Sequence, residues 1–199
     1  MQRLCNHEDS QLEYVNFDAR PRRVLERTMK KLTYLMCCLT VGAATVMVPS
    51  HAKAQASDQD KQFLTKASQG NYDEIQLGKL AEQKATNSSV KSFGRRMVTD
   101  HTKLTTQMKP FADQWGIAAP TSMSSDAQSE YDKLQGASGA DFDKEYINFM
   151  ATEHAKDLNE FTDEANSTKD TKFKAAVEHG KTVISEHKNM ADSIQKKVG

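Results

Sequence analysis

Through four long stretches of the chain, apolar residues recur every three or four positions, the spacing that puts them on one face of an α-helix. The first stretch, Asp58 to about Ala85, aligns Phe63, Ala67, Gly70, Glu74, Leu77 and Ala81, so one carboxylate lies on an otherwise apolar seam. The second follows the turn TNSS, where Asn87 or Ser88 is a suitable N-cap, and aligns Val90, Met97, His101, Leu104, Met108, Phe111 or Ala112, and Trp115. Pro110 should kink this helix, and Gly116, with Pro120 beyond, should end it. The third, Ala140 to about Ala165, is rich in Phe142, Tyr146, Phe149, Met150, Leu158 and Phe161. After the turn NSTKD the fourth runs to about Lys197 on a seam of Phe173, Val177, Gly180, Ile184, His187, Ala191 and Ile194. Between Gly116 and Ser138 the chain is polar, with room for a short helix around Ser125 to Leu134. A connection of that length suits a crossover along a bundle rather than a tight hairpin. No strand pattern competes, and the expected fold is an all-α four-helix bundle with a long connection from the second helix to the third.

The N-terminal quarter changes the picture. From Met29 two lysines precede an apolar run, Leu32 to Val48, and Ala54-Gln55-Ala56 follows before Ser57. Basic, apolar and small-x-small segments in that order describe a secretory signal peptide over residues 29–56. The run is at the lower length limit for a membrane anchor, and the alanine-x-alanine site favours cleavage. Residues 1–28 then read as an upstream extension from a start codon placed too early, and residues 57–199 as the bundle domain. All three cysteines, Cys5, Cys37 and Cys38, precede the expected cleavage point, which leaves no disulfide, thiolate site or cysteine nucleophile downstream. From Ser57 onward 19 basic residues face 22 acidic ones with no basic block, so nucleic acid is not an expected partner. The expectation is a periplasmic or otherwise exported envelope protein with no membrane span after cleavage, and a homo-oligomer or an envelope protein as its candidate partners.

Candidate chemistry centres on histidine. Four of the six histidines follow an acid inside the helical stretches: Asp100-His101 in MVTDHTKL, Glu153-His154 in MATEHAKD, Glu186-His187 in VISEHKNM, and Glu178-His179, whose histidine reads as surface. Adjacent helical residues are about 100° apart, so each pair divides into an inward member and a flanking one. His101 and His187 take their seams, and His154 lies near the centre of a broad apolar arc. Counting from the turns puts Glu74 and His101 at one height and leaves His154 and His187 about 7 Å out of step. Glu74, His101, His154 and His187, one from each helix, therefore form a candidate metal layer. Asp100, Glu153 and Glu186 are placed to hold the imidazoles from outside. Buried polar groups without partners cost a few kcal/mol each, so these four must satisfy one another, bind water or bind a metal. The competing reading takes the histidines as separate core or half-buried residues. His179 falls on neither pattern, and the methionines Met97, Met108, Met123, Met150 and Met190 read as core filler rather than copper ligands. No C-x-x-C-H haem motif and no nucleophile elbow is present.

The segment FLTKASQGNYDEIQLGKLAEQKATNSSVKSFGRRMVTDHTKL, the later GADFDKEYINFMATEHAKDLNEF and the closing ISEHKNM resemble the bacterial exported family called domain of unknown function 4142. That resemblance spans nearly all of residues 60–194 and implies a ferritin-like four-helix bundle with a crossover between its second and third helices. It implies no settled activity. Ferritin-like di-iron sites use Glu-x-x-His on two helices, yet Val98, Ala151 and Ile184 stand three residues before His101, His154 and His187. A di-iron site is therefore not supported, and three imidazoles with one carboxylate better suit a single zinc, copper or other divalent ion. The expected function is a helical bundle without established catalysis that binds such an ion and acts in envelope stress or metal handling. The alternative is a structural or protein-interaction bundle without metal, whose polar layer sets helix register.

Overall fold

The computed structural model describes residues 56–198, so the readings of residues 1–28 and of the apolar run 32–48 lie outside the described residues. Within them the chain forms five helices: α1 (Asp58–Lys84), α2 (Ser88–Trp115), α3 (Ser125–Gly136), α4 (Gly139–Ser167) and α5 (Thr171–Val198). The four long helices are those that the periodicity predicts, and α3 is the short helix of the connection. Local chemistry sets their ends. Ser57 and Asp60 form a reciprocal capping box at the start of α1. Asn87 accepts hydrogen bonds from the backbone of Ser89 and Val90 at the start of α2. Gly116, with φ 71°, closes α2 in the left-handed conformation that glycine adopts without steric cost. Helix α2 runs on through Pro110 to Trp115.

Helices α1 and α2 pack on one another as one hairpin, α4 and α5 as a second, and α3 crosses between them against α1 and α4. The first hairpin is tight because Gly78 and Gly94 face each other. A Cβ on Gly78 would sit 2.8 Å from the Gly94 carbonyl oxygen, and one on Gly94 would sit 2.9 Å from that of Gly78. Asp143 of α4 joins the hairpins by accepting hydrogen bonds from the backbone N–H groups of Thr86 (3.1 Å) and Asn87 (2.8 Å) in the α1–α2 turn.

The core is divided in two. One apolar cluster gathers Leu77, Phe93, Met97, Tyr146, Met150 and Ala191 among others, and a second gathers Phe63, Leu64, Met108, Phe161, Phe173 and Ile184. On each long helix a polar residue stands in sequence between its contributions to the two clusters: Glu74, His101, His154 and His187. The α5 seam is buried at all seven positions read from the sequence. The α1 seam is not, since Ala67 and Gly70 are only half-buried.

Candidate metal centre

The same helical period that builds the apolar seams delivers one polar side chain from each long helix to the middle of the bundle. Glu74 is 5% exposed, His101 1%, and His154 and His187 are fully buried. The imidazole centroids are 5.8 Å apart for His101 and His154, 5.2 Å for His101 and His187, and 5.4 Å for His154 and His187. Each ring offers a nitrogen such that the three lie within 4.8 Å of one another. The height mismatch read from the sequence is smaller in the structure. With α4 ending at Ser167 and α5 starting at Thr171, His154 and His187 differ by three residues from their helix ends, about 4.5 Å of rise.

The hydrogen bonds assign the tautomers. His101 Nδ1 meets Asn71 Oδ1 at 2.8 Å and Glu74 Oε2 at 3.0 Å, both acceptors, so that nitrogen carries the proton. His154 Nδ1 donates to the Met150 carbonyl oxygen at 2.9 Å. His187 Nε2 donates to Asp100 Oδ2 at 3.1 Å. The remaining nitrogens, His101 Nε2, His154 Nε2 and His187 Nδ1, are buried without a hydrogen-bond partner. In the neutral tautomers each of these nitrogens presents a lone pair, and three lone pairs cannot satisfy one another.

Protonation is a poor remedy for two of them. Burial pushes His154 below its ordinary value. Burial, followed by the proximity of His101 and His154, takes His187 down to about 4. The two carboxylates that touch the imidazoles stay charged. Burial would raise Glu74, but His101 and His154 beside it prevail and hold it below the ordinary carboxylate range. Asp100 is likewise held at about 2, its burial outweighed by hydrogen bonds from His187, Arg96 and Lys103.

All four residues of the candidate layer thus come together, though in different positions. Glu74 reaches the protonated Nδ1 side of His101, and its Oε1 is 3.5 Å from His154 Nδ1. Asp100 holds an imidazole, but that of His187 across the bundle rather than its sequence neighbour His101. Glu153 and Glu186 bond to no imidazole. Glu153 lies 3.4 Å from Lys156, and Glu186 pairs with Arg96 at the surface. Arg96 also bonds Asp100 at 3.0 Å, so Glu186, Arg96, Asp100 and His187 form one chain of contacts. Sequence reasoning missed Asn71 and Arg96. Asn71 was detectable in principle, because it stands three residues before Glu74 and shares its helix face.

Neither a curated protein nor a solved structure matches the chain. Among the described residues no helix is long and apolar enough to cross a membrane. A family model does match, over residues 46–194, a span that takes in all four residues of the layer and nearly all of the helices that carry them, and the chain therefore belongs to the family described as Domain of unknown function (DUF4142).

Proposed function

We propose that this protein is an exported, ferritin-like bundle that binds one divalent transition-metal ion through His101, His154 and His187 and serves metal handling in the cell envelope, including under envelope stress. The observation that carries the reading is that three buried imidazoles, each with one nitrogen that has no hydrogen-bond partner, cluster so closely that one nitrogen from each lies within 4.8 Å of the others. A Lewis acid satisfies all three at once. Imidazole ligands suit zinc and copper, whose bonds to nitrogen are about 2.0–2.1 Å, so binding would draw the three rings inward and leave a fourth position open. In this reading Glu74 and Asp100 act from outside, fixing ring orientation and tautomer and supplying negative charge. Support for export is the signal-peptide pattern of residues 29–56. Support for a ferritin-like topology is the crossover that joins the two helix hairpins.

Thermal unfolding of chelator-stripped protein with and without zinc, copper, cobalt or manganese tests the proposal. At a free metal concentration about 100 times Kd, binding should add about 2.7 kcal/mol, some 8 °C in Tm for a domain of this size. The rise should vanish in His154→Ala and His187→Ala. Unfolding that ignores every metal would leave the layer as a device that sets helix register.

A further inference from the structure

The surface between α1 and α4 opens into a cleft of about 390 Å³ whose lining includes Glu74. Beside it a narrow cavity of about 30 Å³, room for a water or a bare ion, is lined by Glu74, Asp157 and His101. Gly70 lines both. Three other glycines inside the long helices have a packing reason. Gly78 and Gly94 let two backbones meet, and a Cβ on Gly180 would lie 2.5 Å from the Phe161 ring. At Gly70 a Cβ would meet nothing within 4 Å. Glycine in a helix interior is destabilising against alanine, and here it leaves open space instead of a close contact.

The cleft has a charge to match. Its α4 wall carries Glu153, Asp157 and Glu160, opposed by Lys66 and Lys156. Burial, with the nearby charge of Glu74 second, pushes Asp157 up to about 8, which keeps that side chain protonated at neutral pH and leaves the attraction to its neighbours on the wall. Glu74 Oε1 is buried with no hydrogen-bond partner. Other approaches to the triad are less suited to a cation. Phe93 stacks edge-on against His154 and His187 on one side, at 6.3 and 6.2 Å between centroids. Near His187, Arg96 and Lys103 sit on Asp100 and place two cations at the surface.

We infer that the α1–α4 cleft is the route by which a divalent cation reaches the three histidines, with Glu153 and Glu160 drawing it in, Gly70 leaving the passage clear and Glu74 Oε1 receiving it at the threshold. The inference rests on the metal reading of the triad but concerns rate rather than affinity. A cleft in which acids outnumber bases, as Asp73, Glu74, Asp126, Glu153 and Glu160 outnumber Lys66 and Lys156 here, raises the association rate of cations by focusing the field, and salt screens that effect. A carboxylate oxygen at the threshold also gives the ion a partner as it sheds its water.

Stopped-flow absorption of Co²⁺ binding to chelator-stripped protein tests it, using Glu153→Gln/Glu160→Gln, Gly70→Phe, and Asp113→Asn on the far surface of α2 as a control. The double variant should associate about tenfold more slowly at low salt, with the gap closing at high salt. Gly70→Phe should slow association and release alike at any salt and leave Kd unchanged, and the control should match wild type. The double variant alters only half-buried side chains and carries the test alone if Gly70→Phe does not fold. Wild-type rates in the variants, or a changed Kd at an unchanged association rate, would overturn the route while leaving the triad as a metal site. Absence of a cobalt spectrum in the wild type would instead overturn the metal reading, and the route with it.

Discussion

Each imidazole of the triad is held by a different kind of acceptor: an amide with a carboxylate for His101, a backbone carbonyl for His154 and a cross-bundle carboxylate for His187. The consequence is measurable at single residues. Asp100→Asn removes the charge that orients His187 and allows the amide to donate where it should accept. Under the metal reading, a competition titration against a chelator should show affinity about 10- to 100-fold weaker. Glu153→Gln, whose carboxylate bonds to Lys156 and to no imidazole, should leave Kd unchanged in the same titration. That the histidines face inward was legible from their seam positions. Which acid serves which ring was not, because periodicity gives an angle around one helix and says nothing of the side chain that approaches from the next. Asp100 therefore read as a partner of the layer without its target, and Arg96 did not stand out at all.

At the level of elements, caps and turns were legible because their causes are local: Ser57 with Asp60, Asn87 and Gly116 act within one turn of their own position. The contacts that tie one helix to another at their ends were not. Asp60 at the start of α1 and Glu164 near the end of α4 are 3% and 2% exposed and face each other. Gln59 donates to Glu164 Oε2 at 3.2 Å. Burial, then the hydrogen bond with Asp60, raises Glu164 from 4.5 to about 7, so the folded protein keeps a proton that the unfolded chain releases. The folded pKa lies above the unfolded one. The stabilisation is thus complete below about pH 4.5 and is lost as pH rises through about 7. Denaturant unfolding across that window should show this pair costing roughly 2 to 3 kcal/mol of stability. Glu164→Gln, which cannot ionise and can still donate to Asp60, should remove this part of the slope. An unchanged profile would show that the two carboxyls do not share a proton.

Over the whole molecule, two apolar clusters are separated by one polar layer, and nothing polar of similar depth recurs along the seam of α5. Ser57, the first residue beyond the expected cleavage site, is also the N-cap of α1, so processing there would leave the bundle's first helix with its cap intact. Mass spectrometry of the protein from its native envelope should find an N-terminus near Ser57, and a form that keeps residues 1–28 would refute the export reading. The sequence by itself determined the number, length and inward faces of the long helices, the crossover and the family, because hydrophobic period, capping residues and motif spacing are written along the chain. Only the tertiary structure decided which ring nitrogens stay free, that Glu74 approaches the protonated side of His101, and that a cleft opens between α1 and α4. Those features depend on the tilt and depth at which separate helices meet, and small offsets in that packing move a nitrogen or a carboxylate by the length of a hydrogen bond.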